Sequence, residues 1–413
     1  MTYLVDKCKR LHEAAQELAI INTKAKNEAL KKVADSLTEH KNFILEENAK
    51  DIVNAKEENM KESLIDRLKL DSKRIDDMVD GIHTIIELKD PIWRSNDVWT
   101  LENGLTISKM TVPLGVIGII YESRPNVTID AFSLALKSGN SILLRGSASS
   151  IHSNRALVYA VKEGLKKSLI SESVIEFIDN PDRAIVKEML TLNEYIDLII
   201  PRGGKDLIEF VVKNATVPTI ETGVGNCHIF VDETAQFSMA LDIVENAKVQ
   251  RPGVCNACET VLVHKNIAKE FLPKLYDRLR NRVEIRGCDE TQSIIPASNA
   301  TEQDWQEEFL DYILAVKIVE DVQEAIAHIR KYGTKHSESI LTENMTNANL
   351  FSRQVDAAAV YVNASTRFTD GGQFGYGGEM GISTQKIHAR GPIGLSELVS
   401  SKYTIIGNGQ IRE

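Results

Sequence analysis

Hydrophobic positions recur with two different periods along this chain, and the change of period predicts how the chain is organised. From about residue 7 to residue 88 the apolar side chains follow helical spacing. Leu30, Val33 and Leu37 fall on one face, with charged residues on the other faces. No proline occurs before Pro91, which also favours helix. The first fifth of the chain is therefore predicted to consist of several helices.

Two short β-prone runs, 99–102 and 105–108, flank the dipeptide Asn103-Gly104. Asn-Gly between such runs predicts a β-hairpin with a type I′ turn, since both central residues of that turn need positive φ. A two-stranded ribbon is marginal by itself. We therefore expect it to pair with another element. The candidates are the β-prone run 402–406 near the end of the chain and another subunit.

Between residues 112 and 331, apolar strand-like runs alternate with amphipathic helix-like runs. The strands are predicted at 116–121, 141–144, 174–178, 196–200, 229–231, 259–263 and 315–319, with helices between them. This alternation indicates an α/β fold with mostly parallel sheets. Because ligands bind at the carboxyl ends of such strands, the candidate segments are 122–126, 145–147, 201–205 and 221–226.

The stretch 363–394 is rich in glycine. Phe368, Phe374 and Tyr376 interrupt it, whereas flexible linkers are poor in aromatic residues. We therefore predict an ordered loop at a functional site and not a flexible linker.

Composition excludes several classes of protein. A chain of 413 residues suggests two or three domains, and a formal charge of −10 disfavours binding to nucleic acid or to anionic membranes. No apolar run approaches the roughly twenty residues of a membrane helix, and residues 1–10 lack a signal-peptide core. Five cysteines, an odd number, fit reduced thiols in a cytoplasmic protein.

The segment 250–260 is the strongest candidate for chemistry. Arg251 puts a cation four residues before Cys255, and Pro252-Gly253 predicts a loop that leads into a strand. A thiol beside a cation is a plausible nucleophile, because positive charge favours the reactive thiolate. The alternative is a buried structural cysteine, which is common.

The pair Cys255-x-x-Cys258 could also be half of a zinc site or a redox pair. Zinc needs a second pair of ligands, and the chain offers no matching motif, while a redox pair would open a helix and not a strand. We therefore predict no metal.

A dinucleotide would bind here without the usual fingerprint, since no G-x-G-x-x-G follows a strand. Arg145 could contact a ribose 2′-phosphate, and Gly203-Gly204, before a helix, could approach a pyrophosphate. Glu221, before a glycine-rich turn, could be a general base, a ligand to the substrate region or a surface carboxylate.

Four segments, 114–128, 220–228, 250–260 and 362–375, resemble the signatures of the γ-glutamyl phosphate reductase family, a branch of the aldehyde dehydrogenase superfamily, and occur in that family's order. The resemblance implies an aldehyde dehydrogenase-like fold with two open parallel α/β domains and a small β-hairpin oligomerisation flap. The implied boundaries are 1–97 and 113–228 for cofactor binding, 229–395 for catalysis, and 98–112 and 396–413 for the flap.

The resemblance also implies roles for individual residues. Cys255 is matched to the nucleophile, Asn126 to the amide that holds the oxyanion, and Glu221 to the superfamily's glutamate. The candidates for cofactor binding are Arg145, Ser147, Gly203, Gly204, Glu307 and Phe309, of which the resemblance matches Arg145, Glu307 and Phe309. The candidates for substrate binding are Arg124, Arg251, Ser365, Thr366 and Arg367. The three arginines are candidate anchors for the phosphate or the α-carboxylate, since a guanidinium fork suits both. Leu310-Asp311 stands where the family pattern around Glu307 and Phe309 continues with Gly-Pro, which is a departure.

The implied activity is NADPH-dependent reduction of L-glutamyl 5-phosphate to L-glutamate 5-semialdehyde through a thioacyl cysteine, in proline biosynthesis. The implied partners are further copies of the chain and glutamate 5-kinase. Two alternatives stay open at this point: an aldehyde dehydrogenase that transfers the acyl group to water, and an inactive scaffold.

Overall fold

The computed structural model describes residues 2–412. The chain forms two compact units. The first contains the residues up to Glu221, Gly375–Gly381 and the residues from Ile393 onward, and the second contains Thr222–Phe374 and Ile382–Pro392.

The first unit begins with the predicted helices. They are α1 (Thr2–Leu18), α2 (Thr23–Glu39), α3 (Lys41–Glu57), α4 (Glu62–Leu68) and α5 (Ser72–Glu87). Leu30, Val33 and Leu37 of α2 are fully buried, as their spacing predicts. The side chains of Asn22 and Asp71 accept hydrogen bonds from the first turns of α2 and α5, which satisfies backbone donors that have no partner inside the helix. No helix within residues 2–412 is both long enough and apolar enough to cross a bilayer.

The predicted hairpin is present as β1 (Ser95–Thr100) and β2 (Thr106–Pro113), paired antiparallel. The predicted type I′ turn is wrong. Gly104 has φ +87°, whereas Asn103 is absent from the positive-φ residues of the described chain. The Gly104 N–H donates to the Leu101 carbonyl, and Leu101 donates to Leu105. This three-residue loop needs one left-handed residue and not two, so the glycine alone meets the requirement.

A four-stranded parallel sheet completes this part of the first unit. Its strands are β3 (Val116–Tyr121), β4 (Ser141–Arg145), β5 (Ile175–Phe177) and β6 (Leu198–Arg202), in the order β5-β4-β3-β6. The helices that follow these strands are α6 (Val127–Lys137), α7 (Ile151–Leu165), α8 (Arg183–Met189) and α9 (Lys205–Asn214). The four strands predicted here are confirmed. Their side chains are buried on both faces, except for Arg145 and Arg202, which are half-buried at the ends of β4 and β6.

The second unit contains a seven-stranded parallel sheet in the order β10-β9-β11-β8-β7-β12-β13. Its strands are β7 (Cys227–Val231), β8 (Cys258–His264), β9 (Glu284–Gly287), β10 (Ser298–Asn299), β11 (Ile313–Val319), β12 (Ser337–Leu341) and β13 (Ala359–Val362). Its helices are α10 (Phe237–Val249), α11 (Lys265–Leu279), α12 (Asp289–Gln292), α13 (Val322–Tyr332) and α14 (Met345–Gln354).

Strand β12 escaped prediction because it begins Ser337-Glu338-Ser339, yet all three residues are fully buried. Glu338 is compatible with the core because its Oε2 accepts a hydrogen bond from the backbone N–H of His228 on β7, at 2.7 Å. A buried polar residue is tolerated when it is hydrogen-bonded, and this partner lies far away in sequence.

The glycine-rich stretch is ordered, as predicted. It contains a short 3₁₀ helix at Thr366–Phe368 and the two-residue strands β14 (Ile382–Ser383) and β15 (Gly391–Pro392), which pair antiparallel. The Phe374 N–H donates to the Asp370 carbonyl at 2.9 Å.

The last strand, β16 (Val399–Ile406), pairs antiparallel with β2 over its whole length. The predicted pairing of the hairpin with this strand is therefore confirmed, and the resulting ribbon has the order β1-β2-β16. Val98, Tyr403 and Ile406 are 62%, 59% and 67% exposed, so the ribbon leaves apolar side chains on its surface.

Candidate active site

Cys255 lies in the loop between α10 and β8, at the amino end of a parallel strand. It is half-buried, whereas Cys258 and Cys227 are fully buried. Burial raises the pKa of both the Cys258 and the Cys227 thiols well above the ordinary value. All five cysteines are present as thiols. Of the three cysteines at this end of the sheet, Cys255 is the one that a ligand can reach.

The backbone of Cys255 is held from the side of β7. A Cβ on Gly225 would lie 1.4 Å from the Cys255 carbonyl oxygen, so no side chain fits at this position. The Cys227 thiol donates to the same carbonyl at 3.2 Å. The segment that leads into β7 therefore fixes the peptide of the thiol-bearing residue.

Arg367 braces the same loop from the glycine-rich stretch. Its Nη1 donates to Asn256 Oδ1, and its Nε donates to Gln250 Oε1 at 3.1 Å. Asn256 Nδ2 in turn donates to the Thr369 carbonyl at 2.9 Å, and Thr366 Oγ1 donates to the Asn256 carbonyl at 2.8 Å. Both ends of the Cys255 loop are thus tied to the segment 366–369.

Arg367 also belongs to a small group of charges around the thiol. Burial lowers the pKa of its guanidinium, and the positive charge of Arg251 acts in the same direction. The charges of Asp370 and Cys255 act in the opposite direction. A guanidinium that interacts with Cys255 favours the thiolate form of that residue.

The predicted substrate residues fall into two groups: cations near Cys255, and buried residues that hold the loop. Arg251 and Arg367 are cations in the neighbourhood of Cys255. Ser365 and Thr366 are buried and serve the loop itself, since Ser365 Oγ accepts from the Arg367 N–H and Thr366 bonds to the Asn256 carbonyl. Their contact with a substrate stays a prediction.

A buried ion pair spans the two ends of the Cys255 loop. Lys248 near the end of α10 and Glu259 near the start of β8 are fully buried, with Nζ and Oε2 2.5 Å apart. Burial raises the pKa of Glu259 to about 8, against the attraction of Lys248 and a hydrogen bond from the Leu310 N–H. This pair was not predicted from sequence, because a lysine and a glutamate of ordinary spacing carry no signal of burial.

Glu307 and Phe309 line a cavity of about 530 Å³ in the second unit. The Arg286 guanidinium lies 5.3 Å from the centre of the Phe309 ring. Glu308, between the two predicted residues, accepts a hydrogen bond from the Gly225 N–H at 2.7 Å. The segment 307–309 therefore contacts Gly225, the glycine that lies against the Cys255 carbonyl.

In the first unit, the carboxyl ends of β4 and β6 carry the other predicted cofactor residues. Arg145 Nη2 donates to the Pro181 carbonyl at 2.9 Å, and burial together with the nearby Arg183 charge lowers the pKa of its guanidinium. Its Nε is buried and has no hydrogen-bond partner. Ser147 Oγ accepts from the Ser123 N–H at 3.3 Å.

Gly203 and Gly204 precede α9, where a pyrophosphate was predicted. The Gly204 N–H donates to Glu122 Oε2 at 2.9 Å, and a Cβ on Gly203 would lie 2.5 Å from the same oxygen. A carboxylate of the protein thus lies at this helix N-terminus, where negative charge is stabilised. Glu122 is the first residue after β3, and its position at the carboxyl edge was the available signal.

Asn126, Arg124 and Glu221 also belong to the first unit. Asn126 is exposed at the start of α6, and its Nδ2 donates to Asp130 Oδ2 at 2.9 Å. Arg124 and Glu221 are half-buried. Their predicted roles toward Cys255 stay predictions. Within residues 2–412 no group of three or more histidine, cysteine, aspartate or glutamate side chains could hold a metal ion.

Comparison with known families adds a separate line of evidence. The aldehyde dehydrogenase family matches residues 5–311. The chain is 71% identical over 413 residues to the gamma-glutamyl phosphate reductase of Alkaliphilus metalliredigens, with complete coverage of both chains. It is 56% identical over 415 residues to the protein of the same name from Thermotoga petrophila, again with complete coverage.

Solved structures agree. The crystal structure of gamma-glutamyl phosphate reductase from Thermotoga maritima superposes with a TM-score of 0.95 and 56% identity, covering 99% of this chain and 100% of that chain. An engineered glycolyl-CoA reductase with bound NADP⁺ shares the fold alone, with a TM-score of 0.72 and 16% identity over 98% of this chain and 96% of that chain.

Proposed function

This chain belongs to the aldehyde dehydrogenase family and, within it, to the gamma-glutamyl phosphate reductases; we propose that it reduces L-glutamyl 5-phosphate to L-glutamate 5-semialdehyde by thioacyl chemistry on Cys255, with NADPH. The reaction is a step of proline biosynthesis. The observation that carries the proposed mechanism is the half-buried Cys255 thiol between fully buried cysteines, in a loop braced by Arg367.

Cys255 acts as the nucleophile. Its thiolate attacks the acyl phosphate carbonyl, and phosphate leaves to give a thioacyl enzyme. The neighbouring Arg367 favours the thiolate, and the contacts from Gly225 and Cys227 hold the backbone in place. The Asn126 amide and the backbone N–H of Cys255 are assigned to the tetrahedral oxyanion, an interaction typically worth roughly 3–4 kcal/mol.

The residues of the first unit fit a nicotinamide dinucleotide carrying a 2′-phosphate. Such a cofactor supplies the hydride that converts the thioacyl group to the aldehyde level. Arg145 and Arg183 bring two positive charges near one another at the carboxyl edge of the sheet, and a phosphate would relieve that repulsion. Arg145 Nε is buried without a hydrogen-bond partner, so this donor, like the pair of positive charges, fits an anionic acceptor such as a phosphate. Gly203 and Gly204 allow a close backbone approach, with Glu122 as the competing anion.

We expect Arg183 to set the preference for NADPH over NADH. Arg183→Leu should lower kcat/KM for NADPH by about 10-fold or more, since hydrogen bonds to charged groups contribute about 1.5–3 kcal/mol. The value for NADH should change little, because that cofactor lacks the 2′-phosphate. Steady-state kinetics with both cofactors measure this. An equal fall for both would show that Arg183 does not recognise the 2′-phosphate.

Glu221 should matter less than Cys255. An enzyme that passes its acyl group to water needs a base to activate that water, whereas an enzyme that uses phosphate as the acyl acceptor in the reverse direction does not. Glu221→Gln is therefore expected to reduce the rate much less than Cys255→Ser. Rates of both variants, with circular dichroism to verify folding, test this, and equal losses would contradict the phosphate-dependent mechanism.

The decisive experiment runs the reaction in reverse. The purified protein is incubated with glutamate 5-semialdehyde and NADP⁺, with and without phosphate, and NADPH is followed by absorbance. Reduction of NADP⁺ that requires phosphate or arsenate supports the proposal. Reduction without either anion would favour the alternative, a hydrolytic aldehyde dehydrogenase, and no reduction would leave the inactive scaffold.

The proposal has three further parts: oligomerisation through the ribbon, a cytoplasmic location, and contact with glutamate 5-kinase. Support for the first is the row of exposed apolar side chains on the ribbon, including Val98, Tyr403 and Ile406. Support for the second is the state of the five cysteines, all of them thiols. Contact with the kinase rests on the lability of the acyl phosphate substrate alone.

A further inference from the structure

A cavity of about 210 Å³ in the second unit carries charges of opposite sign on its walls. Its lining residues are Asn246, Gln250, Arg367, Phe368, Asp370 and Gln373. Arg367 supplies a cation, Asp370 an anion, and the remaining polar groups are amides. A small cavity with one cation and one anion fits a ligand that carries an ammonium and a carboxylate on neighbouring atoms.

The cation of this cavity is held close to the nucleophile. Two nitrogens of the Arg367 guanidinium are used for Gln250 and Asn256, and Asn256 is the residue next to Cys255. The charges of Cys255 and Asp370 both act on Arg367. A ligand bound between Arg367 and Asp370 would therefore lie against a side chain that is hydrogen-bonded to both ends of the Cys255 loop.

The anion of the cavity is also fixed in place. Asp370 Oδ1 accepts hydrogen bonds from the Gly372 N–H at 2.9 Å and from the Gln373 N–H at 3.1 Å. Both of these bonds go to the same carboxylate oxygen. The turn thus orients the Asp370 carboxylate in the cavity wall. A carboxylate that is already ordered loses little conformational entropy when a ligand binds.

We propose that this cavity binds the α-amino acid end of the substrate, with Asp370 accepting from the α-ammonium group and Arg367 donating to the α-carboxylate. The inference rests on the proposed function, since it names the recognition of that substrate. In L-glutamyl 5-phosphate the α-carbon lies three bonds from the carbonyl that Cys255 attacks, so its two charged groups would fall close to the Cys255 loop, to which Arg367 is hydrogen-bonded. Asp370 then determines specificity for an amino acid over a plain dicarboxylic acid derivative.

The test compares two aldehydes in the phosphate-dependent reverse reaction. Glutamate 5-semialdehyde carries the α-amino group, and 5-oxopentanoate is the same chain without it. Asp370→Asn keeps an oxygen that can accept from Gly372 and Gln373 and removes only the charge. We expect the ratio of kcat/KM for the amino aldehyde to that for 5-oxopentanoate to fall by about 10-fold or more in this variant. An unchanged ratio would overturn the inference and leave Asp370 with its role in the turn.

Arg367→Leu is the matched variant. Both aldehydes carry the carboxylate, so this change should lower both values and keep their ratio within about two-fold. Because glutamate 5-semialdehyde cyclises, each variant is compared with the wild type on the same substrate preparation, so that the fraction of open aldehyde cancels.

A binding measurement on the wild-type protein covers the case of a variant that does not fold. L-Glutamate and glutarate differ only in the α-amino group, and each can be tested for protection of Cys255 from iodoacetamide. Protection by L-glutamate at a concentration about 10-fold lower than by glutarate supports the ammonium site, and equal protection overturns it. Failure of the wild type to reduce NADP⁺ with glutamate 5-semialdehyde and phosphate would instead refute the proposed function, so the two failures are distinguishable.

Discussion

Replacing Cys255 by alanine is expected to abolish the phosphate-dependent reduction of NADP⁺, with a loss in kcat on the order of 10⁴-fold or more. The thioacyl intermediate needs a sulfur at this position, and the two nearby thiols cannot replace it. Cys227 and Cys258 are fully buried, and burial keeps both in the protonated form because it raises their pKa. The fold should survive, since the Cys255 side chain is half-buried and its backbone contacts remain.

Two other cysteines provide controls for this prediction. Cys288→Ala removes the other half-buried thiol and should keep nearly full activity. Cys258→Ala removes a core thiol and should lower stability more than kcat. Iodoacetamide should modify Cys255 in step with the loss of activity, as mass spectrometry can follow. Substantial activity in Cys255→Ala, or inactivation by Cys288→Ala, would refute the assignment of the nucleophile.

Breaking the buried ion pair is expected to have the largest effect on stability. Lys248→Met leaves the Glu259 carboxyl group without its cation in a fully buried site, where it must either take up a proton or remain an uncompensated charge. Removing one partner of a buried pair typically costs about 3–5 kcal/mol. Chemical denaturation followed by fluorescence and circular dichroism should show a loss of this size in the free energy of unfolding. Because Lys248 and Glu259 flank the Cys255 loop on both sides, the remaining folded protein should also have a lower kcat.

The double variant Lys248→Met with Glu259→Gln separates two contributions to the loss of stability: the burial of an uncompensated Glu259 charge, and the loss of the contact between the two side chains. Glutamine keeps an oxygen for the Leu310 N–H and carries no charge. The double variant should recover about half or more of the lost stability, since replacing both partners of a buried pair is often nearly neutral. If the double variant is as unstable as the sum of the two single variants, the pair contributes through packing and not through charge.

Much of the fold follows from local patterns in the sequence. The buried strands of the four-stranded sheet, the early helices and the final ribbon strand agree with prediction, because apolar periodicity reports the burial of a face directly. The candidacy of Cys255 also came from local signals, namely Arg251, the Pro252-Gly253 turn and the following strand, and its role as the nucleophile stays a prediction. The glycine-rich stretch was correctly predicted to be ordered on the strength of its aromatic residues.

Other features depend on residues that are distant in sequence, and these escaped prediction. Strand β12 looks polar in the sequence, and its Glu338 is compatible with the core because it accepts a hydrogen bond from His228, 110 residues away. The brace on the nucleophile loop joins Asn256 to Arg367 across 111 residues.

The sequence by itself thus determined where strands and helices form and which thiol is the candidate nucleophile, since those signals lie within a few neighbouring residues. The tertiary structure alone decided how that thiol is held, which charges surround it and which polar residues are buried. The reason is physical. Hydrogen bonds and ion pairs act between groups a few ångströms apart, and only folding decides which distant residues come that close.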